Sequence, residues 1–198
     1  MLYTSARGQT DMVCSAHAIT RGLADDGGLF VPQKFATLTL DEIVAMSELP
    51  YAERAAKILS FFLTDYTEEE LLACTSAAYS EERFSGFAAP LKQVKDKIAV
   101  LELWHGPTSA FKDMALQLLP HLLMKAIEKT GEQNDIVILV ATSGDTGKAA
   151  LEGFADVKGT QIIIFYPDDG VSDIQKRQMI TQQGGNVNVI AVHGNFDD

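Results

Sequence analysis

Two short stretches of this 198-residue sequence hold the residues whose types and spacing could do chemistry. In the first, Lys112 follows a short apolar run, Ile98 to Leu103, and a break at Gly106 and Pro107, and it stands in the first turn of an amphipathic segment. A helix N-terminus carries partial positive charge and favours anions, so a cation is badly placed there. A lysine amine in that setting is the kind that forms Schiff bases with carbonyl compounds. An isolated lysine is ordinarily a solvated charge, here offset by the adjacent Asp113, so the chemistry rests on the string around it.

The second stretch is Thr142, Ser143, Gly144, Asp145, Thr146 and Gly147, directly after an apolar run ending at Val140 and directly before a helical pattern. In open α/β sheets ligands bind at the carboxyl ends of strands, and the amides at a helix start favour anions. A carboxylate or a phosphate fits such a turn, and so does an ordinary strand-to-helix connection built from good turn residues. The stretch is not a nucleotide P-loop, because Ala149 follows the Gly147-Lys148 pair where Ser or Thr is required. Nor is it a dinucleotide fingerprint, since Thr146 stands in place of the second glycine.

The elements that position these stretches follow from periodicity. Apolar residues at Phe111, Met114, Ala115, Leu118, Leu119, Leu122, Leu123, Ala126 and Ile127 predict a helix over Ser109 to Lys129, with Thr108 or Ser109 as N-cap and a kink at Pro120. Strands are expected at Ile98 to Leu103, Ile136 to Val140, Gln161 to Tyr166 and Val187 to Val192. Further helices are expected at Thr146 to Ala155 and Asp173 to Gln183, the latter with a Ser172/Gln175 capping box. Continuous apolar strands separated by amphipathic helices imply a four-stranded parallel sheet covered on both faces. Ahead of it, a strand at Leu2 to Ser5, a helix over Met12 to Leu23, a turn at Asp25 to Gly28 and an extended Leu29 to Val31 precede three more helices. Two of these begin at capping boxes, Thr39/Glu42 and Thr67/Glu70, and the one between them runs from Tyr51 to Leu63. The fold class is therefore α/β: a mainly helical N-terminal domain, residues 1–85, followed by a parallel α/β subdomain, residues 86–198.

Composition narrows the function. A formal net charge of −11 disfavours nucleic acid, which demands clustered Lys and Arg. The longest apolar runs, Ile136 to Ala141 and Ile162 to Tyr166, fall far short of the about 20 helical residues that cross a bilayer. No membrane partner and a cytoplasmic location are expected. Cys14 and Cys74 have neither disulfide nor zinc spacing, and His17, His121 and His193 have no ligand spacing with them or with one another, so no metal site is expected. His105, before Gly-Pro, reads as a hydrogen-bonded turn residue ahead of a proton relay.

The string HGPTSAFKDMALQ around Lys112 resembles the cofactor-lysine segment of threonine synthases, pyridoxal-phosphate enzymes of the tryptophan-synthase-β-like fold (fold type II). The resemblance extends to YTSARG at Tyr3 to Gly8, GLADDGGLFVP at Gly22 to Pro32, ATSGDTGKAA at Ala141 to Ala150 and GNFDD at Gly194 to Asp198, in order along the chain. It departs at Ala6, where a threonine is more typical. The resemblance implies pyridoxal 5'-phosphate as cofactor, Lys112 as its Schiff-base residue and Asp145 near its ring, where many relatives of the wider fold carry Asn. Ser143, Gly144 and Thr146 then hold the substrate carboxylate. The implied reaction converts O-phospho-L-homoserine and water into L-threonine and phosphate. Other amino-acid lyases of the same fold, or a silent binding module, are the alternatives. The groups that cradle the cofactor phosphate and meet its pyridine nitrogen are expected beyond Asp198, on a C-terminal remainder of the same enzyme. The 198-residue chain alone is expected to be incomplete and inactive.

Overall fold

In the computed structural model, residues 1–194 are described, so four of the five residues of the GNFDD string lie outside the described residues. The chain forms two compact units, one of Met1–Tyr79 with His121–Gln133, the other of Ser80–Pro120 with Asn134 onward.

The first unit opens with an antiparallel pair, β1 (Tyr3–Ser5) and β2 (Phe30–Pro32), in which Thr4 faces Val31. Between them lies α1 (Ser15–Arg21), shorter than the predicted span because Cys14 begins it and Gly22, at φ 73°, ends it. Cys14 gives no cap; Asp65 supplies it from a distance, accepting from Ser15 Oγ and, at 2.8 Å, from Ala16 N–H. The two N-terminal sequence strings meet at Asp26. Its carboxylate accepts from Ser5 Oγ at 2.6 Å and from the N–H groups of Gly28 at 2.9 Å and Gln9 at 3.2 Å. A Cβ at Gly28 would collide with Ser5 Oγ, so a glycine is needed at that crossing. Ala6 is exposed and outside this network, so its departure from the family pattern leaves the crossing intact.

Three helices follow: α2 (Leu40–Ser47), α3 (Tyr51–Ser60) and α4 (Glu68–Ala78). The capping boxes expected at Thr39/Glu42 and Thr67/Glu70 are both formed. Leu71, Cys74 and Ala78 of α4 are buried, and so are Leu122, Leu123 and Ala126 of a later helix, α7 (Leu119–Thr130), whose residues from His121 belong to this unit. Tyr66 donates its hydroxyl to the Leu122 carbonyl at 2.9 Å, and Lys129 pairs with Glu70 at 2.7 Å.

The second unit begins with a four-residue helix, α5 (Glu81–Phe84), and a hairpin of β3 (Leu91–Lys95) and β4 (Ile98–Leu101). The hairpin corrects the expected four-stranded parallel sheet. Ile98 to Leu101 pairs antiparallel with Leu91 to Lys95, and the parallel sheet has three strands in the order β5 (Ile136–Ala141), β6 (Thr160–Pro167), β7 (Val187–Val192). A two-residue connection, Asp96-Lys97, permits only antiparallel return, whereas parallel strands need a crossover of a dozen or more residues. Such crossovers join the three remaining strands, through α8 (Asp145–Phe154) and α9 (Asp173–Ile180). Ile162 and Ile164 of β6, Leu151 and Phe154 of α8 and Met179 of α9 are buried, each contributing about 1.5–3 kcal/mol by leaving water. Coverage of both faces is not complete: Val137 is 53% and Leu139 65% exposed on β5. Asn186 ties the end of α8 to β6, donating to the carbonyls of Phe154 at 2.9 Å and Thr160 at 3.2 Å while accepting from Asp156 N–H at 2.7 Å.

The helix expected over Ser109 to Lys129 is two helices. A short one, α6 (Asp113–Leu116), stops at Gln117, and α7 restarts at Leu119 with Pro120 in its first turn. Proline lacks the N–H that would reach the Leu116 carbonyl, and that carbonyl meets Gly153 of α8 instead. A Cβ at Gly153 would collide with it, so glycine permits the approach of α6 to α8.

Candidate active site

The turn that carries Lys112 is built on a buried carboxylate. Asp113 is fully buried and accepts twice from Thr108, from its N–H and its hydroxyl, both at 2.8 Å. Gly106 lies against it, where a Cβ would stand 2.6 Å from Asp113 Cβ. Burial pushes the Asp113 carboxyl above the ordinary aspartate range, and the two Thr108 bonds draw it back down. Two expectations are corrected here. Asp113 faces Thr108 and does not offset Lys112, and neither Thr108 nor Ser109 caps the helix, whose N-cap position is Lys112 itself. Ser109 adopts φ 58°, which turns the chain ahead of Ala110 and Phe111.

Lys112 is half-buried, with Nζ 4.3 Å from the centre of the Phe111 ring, and it forms no ion pair among the described residues. The helix after it has four residues, so the macrodipole argument for its reactivity is weaker than the sequence pattern implied. What the fold offers instead is an amine without a carboxylate partner, held on a turn whose shape Asp113 fixes. Upstream, Glu102 is only 6% exposed and accepts from His105 Nε2 at 2.7 Å, with Lys92 Nζ 3.4 Å away. His105 is thus the hydrogen-bonded turn residue expected from its place before Gly-Pro, with Trp104 stacked on it at 5.7 Å. The His105 bond, with Lys92 behind it, holds the Glu102 carboxyl below its usual range.

The second stretch lies at the carboxyl end of β5. Thr142 is buried, and its hydroxyl accepts from the N–H groups of Gly144 and Gly147, each at 3.1 Å. Gly147 allows this closeness, since a Cβ there would collide with Thr142 Cγ2. Gly144 has φ 150° and ψ −94°, a backbone open in practice to glycine alone. The turn so formed leaves the N–H groups of Ser143, Asp145 and Thr146 without partners among the described residues, and the hydroxyls of Ser143 and Thr146 equally so. Ser143, Asp145 and Thr146 are exposed and Gly144 is buried. This concentration of donors at the start of a ten-residue helix can receive an anion.

All five predicted site residues, Lys112, Ser143, Gly144, Asp145 and Thr146, fall in the second unit. The last four share one turn, and Lys112 stands on a separate turn at the start of α6, which packs on α8. Asp113, Thr142 and Glu102 were not singled out by spacing. Their signals were small: a threonine five residues before an aspartate, a threonine before Ser-Gly, and a glutamate three residues before a histidine. Among the described residues no cluster of three or more His, Cys, Asp or Glu side chains could hold a metal ion, and no helix is long and apolar enough to cross a membrane.

A helical N-terminal unit tied by Asp26, followed by a parallel sheet whose first strand opens into a donor-rich glycine turn, defines a two-unit α/β protein with such a turn at the carboxyl end of a strand. More particularly, the chain is similar in sequence and in fold to the N-terminal portion of threonine synthases. Residues 2–79 match the family described as threonine synthase N terminus. Over 202 residues the chain is 43% identical to the threonine synthase of Pseudomonas aeruginosa, covering all of this chain and 42% of that protein. The crystal structure of pyridoxal-phosphate-bound threonine synthase from Brucella melitensis superposes with a TM-score of 0.87 at 38% identity, over 100% of this chain and 42% of that one. Threonine synthase from yeast gives 0.87 at 34% identity, over 99% and 41%. The chain therefore spans about two fifths of the length of the relatives it matches.

Proposed function

We propose that this chain supplies the N-terminal portion of a threonine synthase, a pyridoxal-phosphate-dependent lyase that converts O-phospho-L-homoserine and water into L-threonine and phosphate in the cytoplasm. The observation that carries the reading is the occurrence, within one compact unit, of an amine without an ion pair and a turn with unused donors, both among the described residues. Residues 1–85 form the N-terminal domain in this reading and 86–198 the first part of the catalytic domain, with the C-terminal remainder of the enzyme as the partner that completes the site.

The residues present fit one end of the cofactor. Lys112 would offer its amine to the carbonyl and Asp145 would face the ring, while the phosphate cradle and the pyridine-nitrogen partner are assigned to the remainder. When bound, pyridoxal phosphate supplies an electron sink for bond breaking at the substrate Cα and beyond. The Lys112 amine, released when the substrate's own amine takes its place, would take the proton from Cα and afterwards move protons at Cβ. Ser143, Gly144 and Thr146 fix the carboxylate through backbone N–H groups and the two hydroxyls, which orients Cα toward Lys112. Phe111 shields one side of the lysine.

The test is to treat the full-length protein with pyridoxal phosphate, reduce with borohydride, map the modified peptide, and assay threonine formation from O-phosphohomoserine. Modification of Lys112 together with turnover is expected. A label confined to another lysine, or attachment at Lys112 without threonine formation, would move the chain to a different activity.

A further inference from the structure

α9 is the helix that follows β6, yet one of its side chains reaches the turn that follows β5. Gln175 sits at the third helical position of α9, where it completes the reciprocal cap with Ser172. Its Oε1 accepts from Ser172 Oγ at 3.0 Å and its N–H donates to the same hydroxyl at 3.3 Å. A cap needs only Oε1 and leaves the carboxamide nitrogen idle. Here Nε2 donates to Asp145 Oδ1 at 2.9 Å. The same carboxamide lies over Gly144, where a Cβ would stand 2.5 Å from Gln175 Cδ and from Nε2. One side chain therefore touches the start of its own helix, the carboxylate that opens the next helix over, and the strained glycine between Ser143 and Asp145.

We infer that Gln175 is a positioning residue for the anion-binding turn: its carboxamide latches α9 onto Asp145 and holds residues 143–147 in the form that presents the N–H groups of Ser143, Asp145 and Thr146. Two features of the geometry make the latch directional. An ionised aspartate only accepts, so the amide nitrogen, and not the oxygen, must face it. The oxygen is in turn committed to Ser172, which fixes the amide's orientation. A glutamate at position 175 keeps the cap, since glutamate is the usual third residue of a capping box, but sets a carboxylate against a carboxylate. With Oδ1 occupied by Gln175, Asp145 offers Oδ2 to a ligand, so this corner of the turn presents an acceptor. It suits a group that donates, such as a hydroxyl or an ammonium. The link to the substrate carboxylate rests on the function proposed above, whereas the latch itself does not.

The experiment compares Q175E and the exchanged pair D145N/Q175E with the parent, as full-length proteins without added cofactor, by hydrogen exchange at the amides of Gly144, Gly147 and Lys148. Q175E is expected to speed exchange there about tenfold, the equivalent of about 1.4 kcal/mol. The pair, in which the carboxamide donor and the carboxylate acceptor have changed places, is expected to restore protection. Unchanged exchange in Q175E would overturn the latch, and so would a double variant as loose as the single one, because a residue serving only as a cap shows no such exchange of roles. With cofactor and O-phosphohomoserine, Q175E is expected to raise KM about tenfold with kcat nearly unchanged and Lys112 still labelled by borohydride. A fall in kcat at constant KM would overturn positioning of the carboxylate turn. Restored protection in the double variant, with a parent protein that itself makes no threonine, would support the latch and remove the proposed function, so the two fail separately.

Discussion

The turns at residues 106–113 and 142–147 lead into helices of the same unit and are organised in opposite ways. The first closes on a buried carboxylate, Asp113, whose two bonds to Thr108 leave a side chain, Lys112, as what the turn displays. The second closes on a neutral hydroxyl, Thr142, which uses up two N–H groups and leaves three others, with two hydroxyls, facing outward. One turn is built to display an amine and the other to display backbone donors. The difference explains the glycines. Gly106 makes room for a carboxylate at an ordinary backbone angle, whereas Gly144 is needed for its angle as well. A covalent cofactor contact calls for the first design and a carboxylate contact for the second.

The sharpest way to break the comparison is to remove what the first turn displays. Lys112→Ala in the full-length protein is expected to abolish borohydride-reducible attachment of pyridoxal phosphate altogether, since Lys125 and Lys129 lie on α7, in the other unit. A variant that still forms such a bond would transfer the role elsewhere. Next in size is the closure of that turn. Asp113→Ala strands both Thr108 donors and leaves a void, which should cost about 3 kcal/mol. The midpoint of urea unfolding, compared with Asp113→Asn, measures it. Asparagine keeps an acceptor for the Thr108 N–H, so the two variants should separate clearly, and equal midpoints would show that burial and not hydrogen bonding fixes the turn.

The second turn should respond less in stability and more in binding. Thr142→Val preserves shape but strands the N–H groups of Gly144 and Gly147, a loss of about 2 kcal/mol, while Thr142→Ser should keep most of it. Valine and serine variants of equal stability would mean that the hydroxyl is not the organiser. Ser143→Ala and Thr146→Val remove outward hydroxyls and should leave stability nearly untouched. Each should weaken substrate binding by about 1.5 kcal/mol, as expected for a hydrogen bond to a charged group. Loss of cofactor affinity with substrate affinity intact would assign the turn to a different ligand.

The strand-end turn was more legible in the sequence than the lysine turn, for a physical reason. Residues 142–147 sit between two strongly periodic elements, so their backbone role follows from local pattern, and donors there have no partners among the described residues. The apolar stripe from Phe111 to Ile127 is also periodic. It runs across a break, though, that periodicity cannot register: the lost donor at Pro120 was visible, while the Leu116 carbonyl turning to Gly153 is a tertiary contact between segments far apart in sequence. The same limit applies to Ile98 to Leu101, an apolar run of strand length whose partner, Leu91 to Lys95, has no continuous apolar run and leaves all five of its residues exposed. The capping boxes at Thr39, Thr67 and Ser172 are legible in the sequence because both partners lie within one turn. The tertiary roles of Asp113, Thr142 and Gln175 are not legible in the same way, because they depend on which N–H or carboxylate each meets once the chain has folded.

The smallest expected effect concerns the approach to the lysine turn, where Glu102 joins His105 and Lys92. Its carboxyl is held below its ordinary value of 4.5, chiefly by the His105 bond and then by Lys92. A carboxyl whose folded value is depressed binds its proton less readily in the folded chain than in the unfolded one. Its contribution to stability is therefore fully present above the ordinary value and lost as the pH falls through the depressed one. Glu102→Gln should accordingly be less stable than the parent at neutral pH, and the two unfolding curves should converge only in acid, below 4.5. Added salt should narrow the gap at neutral pH, because Lys92 is largely exposed and its share of the attraction is screened. A gap that persists unchanged into strong acid would show that Glu102 holds His105 by a neutral hydrogen bond and packing. The approach to the lysine turn would then depend on shape, as the turn at residues 142–147 does, and not on charge.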